Sequence, residues 1–204
     1  MSKLFLLMPI LFYFLSSVSF WIYLFTKNSK VQKFGHSFFG LGFSFQLLLF
    51  ILNTLNNKSL PLHSLEEILI FLGMVLAAIF YGFSFFYRKQ LIEFGSLIAP
   101  FVMFLLAFSI PLSQNTQNVY NNFWFYLHVG SLILAYGLIV FSSIAAIIYI
   151  FTDRDLKRKK VNSFFVVKFS SSLSLLQNLE YKSTILAFIF LSIGLIASSV
   201  WSAI

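Results

Sequence analysis

Long apolar runs separated by short polar connections dominate the chain. A helix needs about 20 predominantly apolar residues to cross a bilayer, and the runs of that length are 4–26, 34–55, 65–87, 91–112, 123–151 and 183–201. No run shows the alternating ten-residue pattern of a membrane β-barrel. The pattern predicts an all-α fold, a polytopic helical membrane bundle of about six transmembrane helices, forming a single transmembrane domain over residues 1–204.

Composition narrows the function classes. The 204 residues are 59% hydrophobic and 10% charged, against about 25% charged in soluble domains. This balance excludes a soluble enzyme, a disordered tail and a conventional nucleic-acid binder. The absence of cysteine removes disulfides, thiolate nucleophiles and cysteine-ligated metals. The first run is longer than a signal-peptide core and lacks a clear cleavage site, so we interpret it as a retained anchor.

The basic residues indicate an orientation in the membrane. Twelve of the 14 Lys and Arg fall in three connections, after the first run, between the third and fourth, and between the fifth and sixth: Lys27, Lys30, Lys33, Arg88, Lys89, Arg154, Lys157, Arg158, Lys159, Lys160, Lys168 and Lys182. The positive-inside rule places these connections in the cytoplasm and both termini outside, in a plasma or inner membrane. The long basic linker 153–182 is also expected to attract anionic membrane lipid.

Charged side chains are missing from the middle of every apolar run. Glu66, Glu67 and Glu93 lie at run edges. Intramembrane ionisable residues mark proton relays and ion pathways, so an ion-coupled transporter, a proton pump and a voltage sensor are excluded. Candidate chemistry is therefore expected at the ends of the helices.

Two of the three histidines are predicted on the same, outer face. His63 lies in the connection after the second run and His128 near the start of the fifth, whereas His36 lies on the inner side. Neutral imidazole is a good axial ligand for haem iron, and two histidines from separate elements could hold the iron from both sides. Trp124, four residues before His128, shares its helix face and could form an aromatic wall.

Structural roles remain open for the same residues. Aromatic side chains at a membrane interface form an ordinary belt, and a histidine at a helix end often only caps it. Glu67 could orient His63 by hydrogen bonding or complement the helix dipole in a first turn, and the second role is favoured. No catalytic residue set is predicted, since the acidic residues lie at run edges or on the inner side.

Three segments resemble, in order and spacing, the cytochrome c assembly family of haem-handling membrane proteins (the CcsA/HemX type). The first is PLHSLEEILIFLG at 61–73, in which Pro61, Glu67, Phe71 and Leu72 fall on matching places. The second, at 124–160, contains a Leu-His-Val stretch around His128 and the Ser/Ala-rich helix that follows. The third, at 176–203, is a Leu-x-x-Leu-x-Tyr segment leading into a helix that ends at Trp-x-Ala.

The resemblance implies a haem-binding integral membrane component of c-type cytochrome assembly, with His128 as axial ligand of the haem iron. It implies other cytochrome c assembly proteins as partners, apocytochrome c as an indirect one, and no catalysis by this chain alone. Two differences from the family are visible. Members often carry a histidine inside the second span, where this chain has Gln46. The family also continues into a Trp-rich external segment after the place of Trp201, so we expect this chain to be shortened, to be completed by a second polypeptide, or to be a divergent HemX-like member with a narrower role.

Two other functions remain as alternatives. The chain could be a HemX-like accessory regulator of haem supply, acting by protein contact through the basic residues at 153–160. It could also be a generic bundle for apolar ligands that shares only hydrophobicity with the family.

Overall fold

Six helices long and apolar enough to cross a membrane account for most of the computed structural model, which describes residues 3–87, 91, 93–112, 122–169 and 173–203. The seven helices in these ranges are α1 (Lys3–Thr26), α2 (Ser29–Asn57), α3 (Leu65–Tyr87), α4 (Gly95–Ser109), α5 (Phe123–Lys157), α6 (Phe164–Lys168) and α7 (Leu173–Ser202). No strand occurs in the described ranges. The predicted all-α membrane bundle with six spans is confirmed.

The helices extend beyond the predicted runs into the basic linker 153–182. α5 continues to Lys157 and α7 begins at Leu173, so a large part of the predicted linker is helical. Leu175, Leu176 and Leu179 are buried, because they repeat at helical spacing on one face while polar residues occupy the other. Of the predicted basic connections, Arg88 and Lys89 lie outside the described residues.

Helix contacts divide the bundle into two parts. α1 packs against α2 and α4, and α3 packs against α4 and more lightly against α2. α5 and α7 make the most extensive helix pair, and α5 joins the first four helices through α3. The start of α5 contacts the end of α7, so the two helices are antiparallel.

Aromatic side chains fill the centre of the four-helix part. Tyr13, Phe20, Phe39 and Phe80 are fully buried. Phe39 meets Tyr13 and Phe80 edge to face, each with ring centroids 5.1 Å apart. A Cβ at Gly95 would lie 2.7 Å from the Phe20 ring, so glycine at this position lets α4 approach α1 closely. Such edge-to-face pairs add about 0.5–1.5 kcal/mol beyond their area burial.

One lysine connects three segments on the side of the bundle where α1 ends. Lys27 has a left-handed backbone (φ 51°). Its Nζ donates to Glu93 Oε1 at 2.6 Å and to the carbonyl oxygen of Lys168 at 2.7 Å. The Glu93 side chain is only 3% exposed. The end of α1, the segment before α4 and the end of α6 are thereby held together.

Candidate functional site

Three elements meet at the opposite end of the bundle: the connection before α3, the start of α5 and the end of α7. Leu62, in that connection, is buried with Val75 of α3 and Ile133 of α5 in a small separate core. This packing places His63 beside the first turn of α5. Because α7 runs antiparallel to α5, its last turns reach the same place.

His128 is anchored through one ring nitrogen. Its Nδ1 lies 2.8 Å from the carbonyl oxygen of Gly194 on α7. A carbonyl oxygen can only accept, so Nδ1 carries the proton and Nε2 holds the lone pair of the neutral ring. The ring also stacks on Trp201, with centroids 6.4 Å apart and planes 25° from parallel.

His63 is held by aromatic side chains of α5. Its ring lies flat against Phe125, with centroids 5.4 Å apart and planes 3° from parallel. Its Nε2 pairs with the Tyr126 hydroxyl at 3.3 Å. Its Nδ1 is buried and has no hydrogen-bond partner in the described part of the chain. An unsatisfied buried polar atom costs about 1–3 kcal/mol, so Nδ1 of His63 is free to take a further hydrogen-bond partner within the described part of the chain.

The two imidazoles are connected by two intervening rings. Phe125, stacked on His63, also meets the ring of Trp201 with centroids 5.4 Å apart. Trp201 in turn stacks on His128. We call this set of rings, His63, Phe125, Trp201 and His128, the outer aromatic row, after the orientation that the basic residues predict. The structure therefore places the two histidines at the same end of the bundle, with the rings of Phe125 and Trp201 between them.

Sequence reasoning named Trp124 as the aromatic wall, whereas the ring stacked on His128 is that of Trp201. Trp124 meets Phe123 edge to face, and its backbone N–H donates to Asn122 Oδ1 at 3.0 Å, capping α5. A role for Trp124 toward a ligand stays a prediction. The signal for Trp201 is its position near the end of the last span, which an antiparallel helix pair brings next to the start of α5.

Glu67 is linked to His63 through the main chain. Its Oε2 accepts from the backbone N–H of His63 at 2.9 Å and of Ser64 at 3.3 Å. Ser64 Oγ accepts from the backbone N–H of Glu67 at 3.2 Å. This reciprocal arrangement is a capping box at the start of α3. The carboxylate thus fixes the backbone that carries the imidazole, and it also lies where it complements the helix dipole.

Gln46, at the position where family members often carry a histidine, connects three helices. It is 1% exposed. Its Oε1 accepts from the Tyr13 hydroxyl at 2.9 Å, and its Nε2 donates to the carbonyl oxygen of Ile70 at 2.7 Å. Both ends of the amide are used in packing α1, α2 and α3, so Gln46 has a structural role here.

His36 lies far from the outer aromatic row. It stacks on Phe80, with planes 10° from parallel, and meets Phe20 edge to face at 5.2 Å. It stands near the start of α2, about 30 Å of helix away from the connection that carries His63. The sequence-based separation of His36 from the other two histidines agrees with this placement.

The residues at the outer aromatic row fit the chemistry of an axial haem ligand. A metal-ligating histidine usually donates its other ring N–H to a carbonyl or carboxylate, and His128 does so toward Gly194. Haem sites also require aromatic and apolar walls, which Phe125 and Trp201 provide. His63 could ligate through Nε2 after the Tyr126 hydroxyl leaves it.

Fold and sequence together define a class, that of multi-pass helical membrane proteins. The family model described as "Cytochrome C assembly protein" matches residues 62–203. This chain belongs to that family, and it is a membrane component of cytochrome c biogenesis. The resemblance noted from the sequence is confirmed.

Curated relatives named "Cytochrome c biogenesis protein CcsA" match over most of the chain. The protein from Guillardia theta is 26% identical over 217 residues, covering 92% of this chain and 69% of the relative. The one from Cyanidium caldarium is 25% identical over 218 residues, covering 92% and 73%. The one from Trieres chinensis is 29% identical over 174 residues, covering 70% and 55%. No solved structure matches.

Proposed function

We propose that this chain binds haem at the outer aromatic row and holds it there for c-type cytochrome assembly. The observation that carries the proposal is the convergence of His63 and His128, from different elements, on the rings of Phe125 and Trp201. Membership of the cytochrome c assembly family supports it, because a c-type cytochrome is completed by the attachment of haem.

The proposed roles follow from the contacts. His128 would coordinate the haem iron through Nε2, and Trp201 and Phe125 would form apolar walls. His63 is the second ligand candidate, and Glu67 holds its backbone. Haem bound here is the group that the assembly process transfers to apocytochrome c. Because the sequence has no cysteine, these residues hold haem by coordination and packing, and release leaves it chemically unchanged.

The same proposal includes partners. Attachment of haem to a C-x-x-C-H motif requires the thiols of an apocytochrome, so this chain is one component among other cytochrome c assembly proteins. The outer aromatic row lies at the end of the bundle, where a second protein can reach it.

The first test is the colour of the protein. We expect the wild-type chain, purified in detergent from haem-replete cells, to show a Soret band equivalent to about one haem per chain. Acid–acetone should extract this haem completely, because no covalent bond holds it. A colourless preparation that also fails to take up added haem would contradict the proposal.

The orientation in the membrane belongs to the proposal as well. The basic connections favour a cytoplasmic inner side and place the outer aromatic row and both termini outside. Since the sequence lacks cysteine, single cysteines are clean reporters. Ser202, near the end of α7, and Asn162, before α6, are both exposed.

In right-side-out vesicles, a membrane-impermeant maleimide should label Ser202→Cys directly, and should label Asn162→Cys only after detergent is added. The two variants are matched controls for each other, because they probe opposite ends of the α5–α7 pair. The reverse labelling pattern would invert the proposed orientation and place the outer aromatic row in the cytoplasm.

A further inference from the structure

Gly194 is a point of close approach between α7 and α5. A Cβ at this position would lie 2.9 Å from Ser131 Oγ and from Leu132 Cδ2. Real Cβ atoms essentially never come within 3.0 Å of such neighbours. Small residues permit this kind of backbone approach between membrane helices, and here only glycine fits without a shift.

The Ser131 side chain cannot readily move to make room for a larger residue at position 194. Its hydroxyl is within hydrogen-bond distance of the carbonyl oxygens of Leu127, at 2.6 Å, and His128, at 3.0 Å. Both acceptors belong to the turn of α5 that carries the candidate ligand. A methyl group at position 194 would therefore break these bonds or push α7 away from α5.

The same close approach sets the state of the imidazole. The Gly194 carbonyl oxygen is the acceptor 2.8 Å from His128 Nδ1. Trp201, seven residues further along α7 and so on the same helix face, stacks on the ring. One face of α7 thus fixes both the tautomer and the plane of His128.

We propose that Gly194 is a positioning residue for His128. It allows α7 to come close enough for its carbonyl group to hold the proton on Nδ1, which leaves Nε2 as the coordinating nitrogen. The part of this inference that concerns haem rests on the proposed function, whereas the tautomer of His128 can be measured without haem.

The first experiment uses the haem-free wild-type chain in detergent. With ¹⁵N-labelled histidine at about pH 8, where imidazoles of ordinary pKa are neutral, the three side chains give separable pairs of nitrogen signals. The His128 signals are identified by their loss in His128→Gln. We expect a protonated Nδ1 and an unprotonated Nε2. A His128 protonated on Nε2 would overturn the proposal, whatever the variants do.

The second experiment compares Gly194→Ala with Gly130→Ala. Gly130 lies on α5, two residues after His128, and a Cβ there meets nothing within 4 Å, so it controls for the added methyl group. We expect Gly194→Ala to bind haem about 10- to 100-fold more weakly, as when the partner of a ligating histidine is lost. It should also lose the fixed tautomer, while Gly130→Ala keeps both properties.

The outcomes separate the two proposals. Gly194→Ala with wild-type haem affinity and wild-type tautomer would overturn the positioning role. A wild-type chain that binds no haem, but whose Nδ1 proton depends on Gly194, would contradict the proposed function and keep the positioning role. If Gly194→Ala fails to fold, the tautomer of His128 in the wild-type chain tests the positioning role: a proton on Nδ1 supports it, and a proton on Nε2 overturns it.

Discussion

His128→Gly should abolish the Soret band of the purified chain, and added imidazole should restore it. Nε2 of His128 is the nitrogen with the lone pair, since Nδ1 is bonded to the Gly194 carbonyl oxygen. Loss of a ligand's partner costs about 10- to 100-fold in affinity, so loss of the ligand itself should exceed about 100-fold. Free imidazole can occupy the space that the side chain leaves and can supply the missing nitrogen.

The control is His36→Gln, which lies near the start of α2, at the end of the bundle opposite the outer aromatic row. His36 stacks on Phe80 and meets Phe20, away from the outer aromatic row, so its replacement should leave the Soret band intact. Retention of haem by His128→Gly without imidazole would contradict the role of His128. Loss of haem from both variants would indicate a general failure of folding, which size-exclusion chromatography would detect.

Comparison of His128→Gly with neutralisation of the basic residues at 153–160 distinguishes haem binding from the alternative function of an accessory regulator. In that case the basic residues at 153–160 would be the working surface, and their neutralisation would change haem-pathway flux while His128→Gly would not. In the structure, Lys157 pairs with Asp153 at 2.7 Å on an exposed part of α5. A surface pair of this kind contributes little to stability, so neutralising these residues should leave the fold intact for the comparison.

Lys27→Met should lower the free energy of unfolding by about 2 kcal/mol. Removal of one partner of a buried ion pair costs about 3–5 kcal/mol and an exposed pair contributes about 0.2–1 kcal/mol; this pair lies between the two cases, because the side chain of Glu93 is 3% exposed and that of Lys27 is 38% exposed. The substitution also removes the bond to the carbonyl oxygen of Lys168. Thermal unfolding in detergent, followed by circular dichroism, measures the effect.

Lys30→Met is the matched control for Lys27→Met, because Lys30 is exposed in the first turn of α2 and its backbone N–H, rather than its side chain, donates to Asn28 Oδ1. It should change stability by less than about 0.5 kcal/mol. Equal melting temperatures for the two variants would show that the contact between Lys27 and Glu93 adds nothing to stability.

The six spans follow from the sequence because a bilayer requires long apolar helices, and runs of that length are visible without knowing their neighbours. The start of α7 at Leu173 is harder to find. There, Leu175, Leu176 and Leu179 alternate with polar residues, so average hydropathy is low although one helix face is apolar. The helical spacing of these leucines therefore indicates the start of α7, which the average hydropathy does not reveal.

The site could be predicted only in part, for a geometric reason. Connectivity places His63 and His128 on one face, since His63 follows two spans and His128 follows four, both even numbers of crossings. The pairing of His128 with Gly194 and Trp201 depends on the register between α5 and α7, which one sequence does not specify. Trp124 lies four residues before His128 on the same helix, as the predicted spacing required, whereas Trp201 reaches the His128 ring from α7.

The division of the bundle has a consequence for how the histidines work together. His128, Gly194 and Trp201 all belong to the α5–α7 pair, whereas His63 precedes α3 and is anchored by Glu67. The ring of His63, however, packs against Phe125 and pairs with Tyr126, both on α5. The His63 imidazole therefore spans the contact between the two parts, with its backbone fixed at the start of α3 and its ring fixed by α5.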